Sequence, residues 1–227
     1  MTMTTITGSA AALRVAVLAS GRGSNLQALI DACADGTLDA RIVAVHSDKP
    51  EAFALQRARD AGIAAHALRP ADFIDREAFD AALFASVDAA SPDLIVCAGY
   101  LRLISAVSVD AHYGRIVNIH PSLLPAFKGL RTHQQALDAG ATEHGASVHY
   151  VTPDLDGGPV IAQVRVPVLA GDSADTLAAR VLACEHPLLV ETLRWLAAGR
   201  IVLTEAGVQI DGMPSAALQL TANRRFA

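Results

Sequence analysis

Short, apolar, β-branched runs alternate along the chain with longer Ala-rich stretches whose apolar positions recur every three or four residues. That alternation predicts βαβ units, an α/β fold in which helices cover both faces of a mostly parallel twisted sheet. The first strand is expected at residues 14–20, followed at once by Gly21-Arg22-Gly23-Ser24-Asn25 and then by Leu26, Leu29, Ile30 and Cys33 at helical spacing. Further strands are expected at 40–46, 63–68, 94–98 and 116–120, with helices at 51–61 and 75–89, the second stopped by Ser91-Pro92. To that point the order matches half of a doubly wound nucleotide-binding fold. After Pro121 the texture changes to a loop punctuated by Pro and Gly, residues 122–129, before a helix opening at Thr132, where Thr132 and Gln135 have the spacing of a capping box. Strands at 146–151 and 159–168 flank the turn Thr152 to Gly158 and predict a hairpin; residues 173–198 form a long helical pattern interrupted at Pro187. Short strands at 201–204 and 208–210 close the pattern.

Length and composition narrow the function classes. A chain of 227 residues, 52% of them apolar, can bury a substantial core, and no apolar run approaches the eighteen or so residues that a membrane span requires. The expectation is a single domain over residues 13–212, with a nucleotide-binding half to about 112, a catalytic half after it, and a C-terminal tail at 213–227. Residues 1–12 lack a basic region and a sustained apolar stretch, so they read as a disordered leader rather than a signal peptide. Cys33, Cys97 and Cys184 are odd in number and show no C-x-x-C spacing, which argues against a disulfide framework and fits the reducing cytoplasm. A formal charge of −5 disfavours a nucleic-acid partner while leaving room for a local phosphate site. The eight histidines show no metal-ligand spacing with a Cys or carboxylate partner, so no metal is expected.

Two places carry chemistry. The turn 21–25 lies between a strand and a helix, where free backbone N–H groups and the helix dipole favour an anion and glycine lets the chain approach closely. A dinucleotide fingerprint would need Gly at position 26, which is Leu26, and no Gly-Lys-Ser/Thr follows for a P-loop. A phosphate site and a plain tight turn both account for the segment. Asn118 and His120 stand two apart on a strand, so their side chains leave the same face, close to the edge where open α/β sheets bind ligands. An amide can donate to an oxygen gaining charge and an imidazole can move a proton, the two tasks of acyl transfer. A locally capping Asn and a satisfied core His would give the same pattern. Asp156, ahead of Gly157-Gly158, sits where a tight reversal can aim a carboxylate inward or make an ordinary Asx turn.

The run Asn118-Ile119-His120-Pro121-Ser122-Leu123-Leu124-Pro125, with Asp156-Gly157-Gly158-Pro159 downstream, resembles the signature of the 10-formyltetrahydrofolate-dependent formyltransferases. Together with Gly21 to Gln27 it is similar to the branch of that family acting on 5-phosphoribosylglycinamide in purine biosynthesis, over residues 14–195. The resemblance implies a Rossmann-like formyltransferase fold with a C-terminal hairpin and long helix. It implies catalytic roles for Asn118, His120 and Asp156, and a substrate phosphate held by Gly23, Ser24 and Asn25. Glu185 would reach the substrate ribose; by composition alone it reads as a solvated helix residue. The folate would lie against Leu101, Arg102, Leu103 and Ile104, beside Asn118 and the loop Thr152, Pro153, Asp154, Leu155 and Asp156, with Arg76 near its far end. Ser147 and His149 match positions behind the catalytic group, while Arg22, Leu101 and the tip Ala126-Phe127-Lys128 fall where relatives vary.

These roles amount to direct formyl transfer through a tetrahedral oxyanion held by Asn118 and protonated His120, with Asp156 pairing with His120 and ordering a water that carries the proton. The co-substrate would be 10-formyltetrahydrofolate, with no metal, no membrane and no nucleic acid, on a monomer or weak homodimer. Three alternatives remain: a formyltetrahydrofolate hydrolase, disfavoured by the short leader and Gly23-Ser24-Asn25; a methionyl-tRNA formyltransferase, disfavoured by acidic charge and the lack of an added RNA-binding domain; and a non-catalytic nucleotide-binding module.

Overall fold

The computed structural model describes residues 11–226; most of the expected leader lies outside them. An eight-stranded sheet runs in the order β11-β7-β6-β5-β4-β1-β2-β3. Its central strands, β1 (Leu13–Leu18) and β4 (Leu94–Cys97), are almost wholly buried because helices cover both faces, which explains their continuous apolar runs. Parallel pairing joins β3 (Ala64–Ala67), β2 (Ala40–Ser47), β1, β4 and β5 (Ile116–His120). The antiparallel half adds β6 (Glu143–Tyr150) and β7 (Val160–Pro167), the expected hairpin. The larger core lies under α1 (Ser24–Ala34), α2 (Phe53–Asp60) and the 24-residue α6 (Ala174–Ala197); the smaller lies under α3 (Arg76–Ala89) on the other face. Among the described residues no helix is long and apolar enough to cross a membrane.

Four local expectations change. Residues 106–111, left without an element in the sequence pattern, form the short helix α4 (Ala106–Ala111). Thr132 does not cap α5 (Thr132–Asp138): Arg131, at φ 58°, takes the cap position, and the Thr132 hydroxyl donates instead to the Pro121 carbonyl at 2.7 Å. Gln135 is likewise spent on the carbonyls of Lys128 and Leu130, so the loop before the helix, rather than its first turn, collects these hydrogen bonds. A capping box does form at α6, between Ser173 and Thr176. That helix passes through Pro187 without interruption, its packing on α1, β6 and β7 outweighing the hydrogen bond that proline cannot donate.

The C-terminal segment read as a tail is part of the fold. After the hairpin β8 (Ile201–Thr204) and β9 (Gly207–Ile210), β10 (Met213–Pro214) extends that small sheet, and β11 (Leu218–Gln219) then pairs in parallel with β7 at the edge of the main sheet. The segment is pinned to α6 around Trp195. The Arg200 guanidinium lies 3.5 Å from the centroid of the Trp195 ring, Phe226 meets it edge-on at 5.3 Å, and its Nε1 donates to buried Glu191 at 3.2 Å. Arg225 reaches the same carboxylate at 3.1 Å.

Candidate functional site

The carboxyl ends of β4 and β5 open into a cavity of about 800 Å³. Asn118, His120 and Asp156 share its wall with Asn25 and Glu185, although these residues come from a strand, a turn, the start of α1 and the middle of α6. The expected folate-binding residues Arg76, Leu101, Arg102, Leu103 and Ile104, and the turn Thr152 to Leu155, line it too. Gly23 and Ser24 belong to the adjoining turn, and Ser147 lies behind the site.

Asp156 is held in an uncommon conformation, φ 45°, in the left-handed region that few residues other than Gly, Asn and Asp adopt readily. The turn is closed by Gly157 N–H donating to the Asp154 carbonyl at 3.0 Å, and a side chain at Gly158 would be driven into the Tyr150 carbonyl oxygen. The carboxylate that this geometry turns inward accepts from the Gly129 amide at 2.8 Å and faces His120 Nδ1 at 3.5 Å. The other ring nitrogen of His120, Nε2, lies 3.1 Å from the Phe127 carbonyl. Both partners of the ring are acceptors, so an imidazole with a proton on each nitrogen satisfies both. Phe127 thus contributes a main-chain oxygen to the site, while its ring packs edge-on against His144 at 5.8 Å.

Asn118 is oriented by its neighbour. His149 Nδ1 lies 2.9 Å from the Tyr150 carbonyl, which can only accept, so Nδ1 carries the proton and Nε2 is an acceptor. Asn118 therefore presents its Nδ2 to that Nε2 at 3.1 Å, leaving its second N–H for a ligand. Burial keeps His149 neutral, lowering its pKa to about 4, and outweighs the attraction of Asp156, whose Oδ1 lies 3.7 Å away; at neutral pH the two do not form an ion pair. Ser147 works one step further back: its Oγ donates to the Ser122 carbonyl at 2.7 Å and accepts from Leu124 N–H and Gln163 Nε2, fixing the loop that follows His120.

His46 and His144 are buried like His149, and burial likewise lowers each to about 4. A histidine depressed in the folded state binds its proton more readily once unfolded, so its contribution is complete above the ordinary value of 6.5 and is lost as pH falls toward 4. The three together outweigh Glu185, whose raised pKa acts in the opposite sense. Urea unfolding followed between pH 7.5 and 4.5 is expected to show stability falling by at least about 1 kcal/mol for each of the three groups. A flat profile would contradict this burial.

Glu185 is 8% exposed, and burial raises its carboxyl pKa against the opposing hydrogen bond from Asn25 Nδ2 at 2.8 Å. Asn25 Oδ1 is buried without a partner among the described residues, so an acceptor and a carboxylate stand side by side in the cavity. In the turn, Gly23 sits at φ 70°, and a Cβ there would come within 2.7 Å of the Ala54 Cβ, so no larger residue fits. The amides of Gly23, Ser24 and Asn25 meet no acceptor among the described residues, as an anion-receiving helix start requires. Leu130, Arg131 and His133 also line the cavity and were not singled out from the sequence; the Pro/Gly texture of 122–129 was their only signal. Among the described residues no group of three or more His, Cys, Asp or Glu is arranged to hold a metal ion.

Residues 13–193 match the family model described as formyl transferase. The chain is 50% identical over 200 residues to the phosphoribosylglycinamide formyltransferase of Escherichia coli, covering 88% of this chain and 94% of that one. The phosphoribosylglycinamide formyltransferase of Coxiella burnetii superposes with a TM-score of 0.87 at 46% identity, covering 90% of this chain and 96% of the other. A formyltetrahydrofolate deformylase from Burkholderia mallei superposes at 0.79 with 26% identity, covering 88% of this chain and 70% of that one. A family match spanning most of the chain, joined to a half-identical relative of nearly equal extent, makes this chain a member of the formyl transferase family.

Proposed function

We propose that this chain transfers a formyl group from 10-formyltetrahydrofolate to the amine of 5-phosphoribosylglycinamide, in purine biosynthesis in the cytoplasm. The observation that carries the proposal is the convergence of Asn118, His120 and Asp156 on one cavity beside the open amides of the 21–25 turn. The phosphate would rest on Gly23, Ser24 and Asn25, and the ribose hydroxyls would meet Glu185 and Asn25 Oδ1. The folate fits the apolar part of the wall, Leu101, Leu103 and Ile104. Arg76 and Arg102, which enter no ion pair among the described residues, suit its acidic end. Both reactants are then held side by side, and the free N–H of Asn118 and the proton of His120 stabilise charge developing on the formyl oxygen as the amine adds. Asp156, whose carboxylate faces His120 Nδ1 at 3.5 Å, orients the ring. The tetrahedral adduct then collapses as the bond between the formyl carbon and N10 of the folate breaks. The proton lost by the amine passes to N10 through a water ordered by Asp156, and no residue forms a covalent bond.

The decisive experiment follows 10-formyltetrahydrofolate by absorbance with and without the ribonucleotide acceptor. Loss of formyl only with acceptor supports the proposal; release without acceptor would favour a deformylase, and binding with no release a non-catalytic module.

The turn makes its own prediction. Gly23→Ala forces an L side chain to φ 70° and into Ala54, displacing the amides. The KM for the acceptor is expected to rise about tenfold or more while the donor KM stays within about twofold, since phosphate binding at a helix start depends on aligned N–H groups. Equal changes in both constants would count against a phosphate at this turn.

A further inference from the structure

We propose that Arg57, on α2 and outside the cavity wall, positions the substrate phosphate: it holds the 21–25 turn in its anion-receiving shape and supplies a positive charge behind it. The proposal rests on the reading of that turn as a phosphate site. Arg57 is half-buried against the turn, and one guanidinium spans it: Nε donates to the Arg22 carbonyl at 2.9 Å and Nη1 to Gln27 Oε1, in the first turn of α1, at 2.8 Å. Three residues earlier on α2, Ala54 N–H donates to the Gly21 carbonyl at 3.0 Å.

These bonds determine where the turn's amides point. Within a trans peptide the C=O and the following N–H lie in opposite directions. Drawing the Gly21 and Arg22 carbonyls onto α2 therefore aims the N–H groups of Arg22 and Gly23 away from α2, as an anion-binding nest requires. Neither amide meets an acceptor among the described residues. Arg57 also forms no salt bridge among the described residues; its guanidinium lies over the Phe53 ring, 4.8 Å from the centroid. In a chain of formal charge −5, a cation without a carboxylate partner directly behind this turn adds to the field that an incoming phosphate meets.

The test uses the full chain with two variants, Arg57→Gln and Arg57→Lys, and two readouts: steady-state kinetics, and competition by inorganic phosphate against the acceptor. Arg57→Gln is expected to raise the acceptor KM and the phosphate inhibition constant in parallel, by about tenfold, because both the fork and the charge are lost. Its kcat and donor KM are expected to stay within about twofold, and the salt dependence of the acceptor KM to become shallower. Arg57→Lys keeps the charge without the fork and is expected to fall between wild type and Arg57→Gln. The proposal is overturned if both variants leave the acceptor KM and phosphate inhibition within about twofold of wild type, or if kcat and both KM values shift together, the mark of a general packing role. If inorganic phosphate fails to compete in the wild type and Gly23→Ala leaves the acceptor KM unchanged, the phosphate reading of the turn falls instead.

Discussion

Asp156→Asn is expected to lower kcat by up to about ten-thousandfold, by analogy with the loss seen when the carboxylate that orients a catalytic histidine becomes an amide. The variant keeps the shape of the turn, because Asn tolerates the left-handed conformation that Asp156 adopts at φ 45°. What it loses is charge: the carboxylate facing His120 Nδ1 at 3.5 Å and accepting from Gly129 N–H becomes a neutral amide. The amide oxygen of Asn can still accept from Gly129 N–H and face His120 Nδ1, but the ring no longer has a negative charge beside it as the transition state forms. Single-turnover rates with both substrates bound, together with a melting curve close to that of wild type, separate this effect from unfolding. A rate within tenfold of wild type would show that the carboxylate has no part in the chemistry.

Asn118→Ala is expected to cost on the order of 3 kcal/mol in the transition state, a hundredfold or more in kcat, because under the proposed mechanism it removes a donor to the formyl oxygen. It also strips the buried His149 Nε2 of its hydrogen bond from Asn118 Nδ2, so some loss of stability should accompany the loss of rate. Asn118→Asp divides the two roles. The carboxylate matches the shape of the amide but cannot donate, either to the substrate or to a neutral His149, so turnover should fall as far as in Asn118→Ala. Near-normal turnover in either variant would remove Asn118 from the mechanism.

The parts of this site that could be read from the chain are those set by short-range geometry. Asn118 and His120 share a face because strands alternate sides, and the Gly21-to-Asn25 turn follows from a strand running into a helix; both stand where expected. Glu185 was not legible from its surroundings. Its burial depends on Asn25, 160 residues away, and only the packing of α6 on α1 brings the two together. The supposed capping box at Thr132 failed because Arg131, left-handed at φ 58°, takes the cap position and leaves Thr132 inside the helix, which spacing alone does not reveal. Six residues without a clear apolar stripe hid α4, and a two-residue strand paired to a distant partner hid β11. The main-chain partners of His120 and Asp156, at Phe127 and Gly129, carry no side-chain signature at all.

The clamp on Trp195 makes the protein its own optical gauge. It is the sole tryptophan of the chain, flanked by a guanidinium and an edge-on phenyl ring, with its indole N–H on a buried carboxylate. Its emission therefore reports whether the final segment is seated on the long helix. Peeling of residues 201–226 would register as a change in emission, distinct from any change at the cavity, to whose lining the indole does not belong.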